Sequence, residues 1–329
     1  MVMTPGRRAV SFAVAAVLAT LLLYYSVRGI EWSQVARIVA AASPGRLVLG
    51  AALGTMTLLL RACRWRILLN AEGSVSVATA FWATAAGYFG NNFLPARGGE
   101  LVRTFMISNG SGLANSYVLA TALSERVADA IALVAITAVV LLLIPAQPGW
   151  LAGAARPFAL LGLIGAIIIA VVPFLGSAGR SVIARAPVPA SWRPGLITSM
   201  DHGLRGIRAF HDARRLASFV AFTLLIWCLD AIGAIITASA LTFHLPLSVA
   251  FLLIAALGVG TALPSTPGYV GIYQFVAVTV LTPFGFSRTD AIAYILVTQA
   301  LMYAVIGLWG SLGLLRYRRA RRSIHLRLP

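Results

Sequence analysis

Residues 91–103 read NNFLPARGGELVR, which sets two asparagines, two arginines and a glutamate beside a proline and a pair of glycines. The chain on either side is nearly all hydrocarbon. Lipid offers a broken backbone no hydrogen bonds, so such a stretch survives at membrane depth only if buried in protein or lining a wet cavity. Pro95 removes a donor and disfavours helix at Leu94, while Gly98 and Gly99 permit turns and close approach. A helix resuming near Glu100 would point its positive dipole end and free N–H groups into the gap. Arg97 and Arg103 would add full positive charge, so the stretch predicts a site for an anion, with phosphate well matched to arginine geometry.

Composition supports the membrane setting. The 329 residues are 60% hydrophobic and 11% charged, with a mean hydropathy of +0.90; a soluble domain carries about twice that share of charge. A spanning helix needs roughly 20 mostly apolar residues, and runs of that kind fall at 9–27, 47–66, 128–145, 156–175, 216–241 and 289–315. The first is read as a retained helix, because no small-residue cleavage site follows it. Segments 31–43 and 200–216 carry apolar residues on one helical face and are read as lying in the interface. The net charge of +17 comes from 26 arginines and no lysine. These sit at the ends of apolar runs, which fits membrane orientation better than nucleic acid. Placing both termini in the cytoplasm puts 18 arginines inside and five outside, with Arg97, Arg103 and Arg126 in interrupted or mid-helix regions. The predicted location is therefore the cytoplasmic (inner) membrane of a bacterium, crossed several times, with a basic cytoplasmic tail at 316–329.

Between the runs lie two interrupted apolar stretches, 76–112 and 246–285. The breaks read NNFLPARGGELV and GTALPSTPGYVG, and both contain Leu-Pro-x-x-x-Gly at corresponding places about half a chain apart. The fold class predicted is an all-α polytopic membrane protein with about six full transmembrane helices and two broken re-entrant hairpins. Residues 1–150 and 151–329 form its two inverted repeats, a layout that places the binding site where discontinuous helices meet. The second tip offers Pro264, Ser265, Thr266, Pro267, Gly268, Tyr269, Tyr273 and Gln274, neutral groups suited to sugar hydroxyls, phosphate oxygens or water.

A third constellation is SERVAD at 124–129, where Glu125 and Asp129 share a helical face beside Arg126. Ionisable groups in a span usually face a cavity or each other. Glu100, Glu125 and Asp129 are placed to pair with Arg97, Arg103 and Arg126. The group serves equally as an ion-pair network holding helices together or as a transport site. Asp230 has no neutralising neighbour in sequence and is a candidate proton carrier or a hydrogen-bonded buried acid. For Arg61, Arg64 and Arg66 with Trp65, the reading is a cytoplasmic anchor rather than a ligand site. The four histidines lack metal-ligand spacing, no phosphate-binding GxxxxGK[ST] loop is present, and no catalytic group or cofactor is predicted.

RACRWRILLN, GYFGNNFLPARGGELVR, ALSERVADAIAL and LPSTPGYVGIYQ together resemble the flippase-like membrane domain of lysylphosphatidylglycerol synthases, over about residues 45–315. The resemblance implies lipid translocation between leaflets. It carries Arg61, Arg64, Trp65, Asn92, Pro95, Arg97, Gly99, Glu100, Arg103, Glu125, Arg126, Asp129, Pro264, Pro267, Gly268 and Gly271 over as site residues. The synthases' soluble aminoacyl-transferring domain is not in this sequence, so transport rather than synthesis is expected. The expected partners are membrane lipids, either an anionic phospholipid or a polyprenyl-phosphate-linked lipid. A homo-oligomer and an envelope-synthesis enzyme stay open as protein partners. A membrane-embedded lipid-modifying transferase and an accessory subunit are the alternative functions.

Overall fold

The structure is a computed structural model that describes residues 17, 19–93, 98–143, 153, 160, 163–164, 167, 171, 176–185, 189–261 and 267–325. The described residues are helical, with no strand among them. After a helical segment at 19–27 come α1 (Trp32–Ala40), α2 (Pro44–Leu69), α3 (Val77–Phe93), α4 (Gly99–Ser111) and α5 (Asn115–Leu143). Then follow α6 (Gly176–Arg185), α7 (Arg193–Arg208), α8 (Ala213–Ala240), α9 (Leu247–Gly260), α10 (Ile272–Leu281) and α11 (Arg288–His325). Three helices among the described residues are long and apolar enough to cross a membrane: Pro44–Leu69, Ala213–Ala240 and Arg288–Arg319.

Local chemistry sets the ends of these helices. Pro44 stands in the first turn of α2, where its missing N–H costs nothing. The Asp212 carboxylate accepts from the Arg215 N–H (2.8 Å) and caps α8. Ser287 and Asp290 cap α11 reciprocally, Asp290 N–H to Ser287 Oγ at 3.0 Å and Ser287 N–H to Asp290 Oδ2 at 3.2 Å. Gly112 closes α4 in the left-handed region with φ +72°.

Two boundaries differ from the sequence reading. The span placed at 128–145 begins at Asn115, because the alanines, leucines, Glu125 and Arg126 of ALSERVADAIAL are good helix formers and continue the helix. The charges therefore sit in the body of α5 rather than at its entry. The basic tail placed from residue 316 is likewise a continuation of α11 as far as His325, since arginine favours helix and neither proline nor glycine interrupts it. The span at 156–175 lies almost wholly outside the described residues.

Each interrupted stretch is a pair of short helices. α3 and α4 have 17 and 13 residues, and α9 and α10 have 14 and 10. At ~1.5 Å per residue these are roughly 26, 20, 21 and 15 Å long, against a hydrocarbon core of about 30 Å. Packing groups the described helices around two large apolar cores and two smaller clusters. One gathers Ala62, Trp65, Ala83, Ile107, Tyr117 and Val118 from the first half of the chain. The other gathers Ala231, Leu253, Ile272, Ala277, Ile292 and Tyr294 from the second, together with Ile30, Val35 and Val140 from the first.

The two halves join along α2 and α8. These run antiparallel, with the Arg46 side chain donating to the Ser239 carbonyl near one end and Arg64 donating to Thr223 near the other. Helix α3 packs on both α4 and α11, and α9 on both α10 and α5. Of the two segments read as interfacial, α1 buries Val35 but leaves Trp32 and Val39 exposed. α7 ends in a short turn that buries Ala209 and Phe210.

Candidate functional site

Four helices converge on a cluster of charge at the junction of the halves. α2 contributes Arg61 and Arg64, α4 Glu100 and Arg103, α5 Glu125, Arg126 and Asp129, and α8 Asp230. Arg64 is the hub. Its side chain is fully buried, and it donates to Glu125 Oε1 (2.9 Å), to Asp129 Oδ1 (2.6 Å) and Oδ2 (3.0 Å), and to Thr223 Oγ1 (3.1 Å). Its guanidinium also stacks over Phe219, 4.8 Å from the ring centre.

Arg103 is equally enclosed. It bonds Glu100 Oε2 (2.5 Å), Glu125 Oε2 (2.9 Å) and the Ala122 carbonyl (3.3 Å), and lies 4.5 Å over the Trp65 ring. Trp65 is itself held by its Nε1–H on Thr121 (3.2 Å). Arg64 and Trp65 are thus interior groups, which corrects the cytoplasmic-anchor reading. The carboxylates of α5 face α2 and supply a partner that an interfacial arginine would lack. Arg66, one turn beyond Arg61, does lie at the helix end, donating to the Val75 carbonyl (2.6 Å) across the turn into α3.

Arg126 and Arg61 form the open edge of the cluster. Arg126 donates to Glu100 Oε1 (3.0 Å), with Asp129 at 3.9 Å, and Arg61 donates to Asp230 Oδ2 (2.6 Å). Tyr88 stands between the two guanidiniums. Its hydroxyl is 3.4 Å from Arg61 and 3.5 Å from Arg126, and its ring centre is 5.9 and 5.2 Å from them. Side-chain exposure separates this edge from the interior: 32% for Arg126, 23% for Asp230 and 15% for Arg61, against 0% for Arg64 and 1% for Arg103.

The four arginines face four carboxylates, so the described cluster is neutral as it stands. Asp230, which has no neutralising neighbour in sequence, finds one in Arg61 on the other half. Asn92 is buried and donates to the Tyr88 carbonyl (2.9 Å), and Asn91 donates to Glu100 (3.2 Å). Gly99 lies where α4 crosses α3 so closely that a Cβ would meet the Gly87 carbonyl oxygen at 1.8 Å. Pro95 and Arg97 lie outside the described residues.

At the second break, Pro264, Ser265 and Thr266 lie outside the described residues, as does the side chain of Pro267. Gly268, at φ +74°, turns its carbonyl toward α11, where Gln299 Nε2 (3.1 Å) and the Tyr303 hydroxyl both donate to it. Gln274 completes the clasp. It accepts from the Gly271 N–H (2.8 Å) and donates to Gln299 Oε1 (2.5 Å). Tyr269 and Tyr273 stack at 5.2 Å. Tyr303 also packs 6.1 Å from Phe93, the last described residue before the first break, so described residues beside each break meet at this ring. An apolar groove of about 300 Å³ opens beside the clasp, lined by Leu23, Val27, Trp32 and Leu296, with Gln299 and Tyr303 at its polar end. Because both donors serve one buried carbonyl, Gln299→Leu is expected to cost about 1–3 kcal/mol and Tyr303→Phe about 1 kcal/mol, read as lowered midpoints in thermal unfolding of the detergent-solubilised protein.

Sequence reasoning missed Tyr88, Thr223, Gln299 and Tyr303. Gln299 and Tyr303 carried a signal, since two hydrogen-bonding residues four apart on an otherwise apolar helix share a face. Tyr88 and Thr223 carried none, because their roles depend on helices distant in sequence.

Nothing matches among curated proteins or among solved structures. The family described as Lysylphosphatidylglycerol synthase TM region matches residues 9–310, so the likeness reaches back through the first apolar run, beyond the motifs near residue 45. A match over most of the chain, on an all-helical multi-pass membrane protein with a buried charge cluster, places this chain in that family, and it belongs to the Lysylphosphatidylglycerol synthase TM region.

Proposed function

We propose that this protein moves an anionic lipid head group between the leaflets of a bacterial cytoplasmic membrane. The family gives a membrane-lipid setting. The observation that carries the reading is the accessible edge of the charge cluster, where Arg61 of α2 and Arg126 of α5 face each other across Tyr88 of α3. Two guanidiniums at the margin of a buried polar cluster can bind a phosphate while the lipid tails stay in the bilayer.

The proposed architecture has about six full spans and two re-entrant hairpins, α3–α4 and α9–α10, in two inverted repeats with both termini cytoplasmic. Support comes from helix lengths too short for comfortable crossings and from a common offset. Arg61 and Asp230 are 169 residues apart, and Pro44 and Ala213, which open α2 and α8, share that spacing. Helix contacts correspond as well: α3 with α11 matches α9 with α5, and α1 with α11 matches α7 with α5. Two residues at equivalent positions touch each other only near a two-fold axis, so Arg61 and Asp230 mark where the repeats cross.

The test is a leaflet-sidedness assay in proteoliposomes with fluorescently labelled phosphatidylglycerol and an impermeant quencher. Arg61→Ala and Arg126→Ala are each expected to slow exchange at least about tenfold, the loss of one charge-assisted phosphate contact. Arg180→Ala, which removes an exposed pair with Asp201 (3.0 Å), should leave the rate unchanged. Equal rates in all four proteins would refute the assignment.

A further inference from the structure

We propose that the head-group phosphate exchanges places with Asp230 on Arg61, and that a proton taken up by Asp230 accompanies each lipid. This deepens the function above by naming its anion subsite and its coupling ion, and it rests on that reading. Arg61 uses two of its five N–H groups in the described contacts, one toward Tyr88 and one on Asp230. Arg126 likewise uses one toward Tyr88 and one on Glu100. Beside Arg61, with its ring centre 5.7 Å away, Trp227 is 6% exposed and its Nε1–H has no hydrogen-bond partner among the described residues. Donors therefore outnumber acceptors at this edge, which suits a phosphate.

Charge balance then demands a proton. Four arginines and four carboxylates sum to zero, and a phosphodiester monoanion added to them would leave one uncompensated charge in a poorly solvated site. Neutrality returns when one carboxylate is protonated. Glu125 is held by Arg64 and Arg103, Asp129 by two bonds from Arg64, and Glu100 by Arg103, Arg126 and Asn91. Among the described residues Asp230 has a single ion pair, to Arg61, with a hydrogen bond to Thr57 beside it, and is the most exposed acid of the four.

Few charged groups face Asp230. α2 presents Arg61 and Thr57, α5 presents Arg126 and Asp129, and α3 presents Tyr88. α9 contains no ionisable residue, and Tyr294 of α11 spends its hydroxyl on the Ala234 carbonyl (3.3 Å). The exchange is balanced: the Arg61–Asp230 pair plus a lipid anion and a proton becomes an Arg61–phosphate pair plus a neutral Asp230.

The test uses the detergent-solubilised full chain in weakly buffered solution. Short-chain dioctanoyl phosphatidylglycerol is added while a pH indicator reads protons and tryptophan fluorescence reads binding. Wild type is expected to take up about one proton per lipid bound, with affinity rising up to ~10-fold per unit fall in pH. Dioctanoyl phosphatidylcholine should draw no proton. Asp230→Asn is expected to take up none and to lose the pH dependence. Wild type needs no variant to decide the matter: phosphatidylglycerol binding without proton uptake overturns the coupling and leaves the transport reading intact, whereas no binding of phosphatidylglycerol at any pH overturns both.

Discussion

Arg64→Ala is expected to destabilise the protein by about 3–5 kcal/mol, the cost of leaving buried carboxylates without their partner. Asp129 would keep only Arg126, at 3.9 Å, and Glu125 only Arg103. Stacking over Phe219 and the bond to Thr223 would go as well. The measurement is thermal or SDS-induced unfolding followed by tryptophan fluorescence. The decisive companion is the triple variant Arg64→Met, Glu125→Gln, Asp129→Asn, which removes charge and counter-charge together. Because a buried ionic cluster can often be replaced by neutral groups without loss, the triple variant should recover most of what the single one loses. If Arg64→Ala unfolds like wild type, the cluster does not hold α2, α5 and α8 together.

Gly99→Ala is expected to force α3 and α4 apart and to cost more than about 3 kcal/mol, beyond the usual range for an overpacked core. The added methyl would meet the Gly87 carbonyl oxygen at 1.8 Å and the Asn91 backbone nitrogen at 2.6 Å. Both obstacles are backbone, so no side-chain rotation relieves them. The helices must separate, and with them Arg103 and Glu100 from their partners on α5. Gly110, on the same helix, has nothing within 4 Å of its added methyl. Gly110→Ala should therefore be neutral or stabilising by up to ~1 kcal/mol through helix propensity. A loss of the same size in both variants would point to a general intolerance of α4 rather than to the crossing with α3.

The interruptions between the short helices were legible because their signals are local. Proline, glycine and a drop in hydropathy act on the residues beside them, so the ends of α3 and the start of α4 follow from NNFLPARGGE. The anionic character of the site was read less well. Arg103 was taken as positive charge for a ligand, yet two carboxylates and an indole enclose it. The more exposed arginines of the cluster are Arg126, read in sequence as part of an acidic pair's surroundings, and Arg61, read as a membrane anchor.

Hydropathy and helix-breaking residues determined a polytopic helical membrane protein with two interrupted segments and the family to which it belongs, because these are properties of short windows of chain. The pairing of charge was decided only by the tertiary structure. Arg64 meets Glu125 across 61 residues and Arg61 meets Asp230 across 169. An ion pair depends on distances of a few ångströms between helices, and no local pattern of residues sets those.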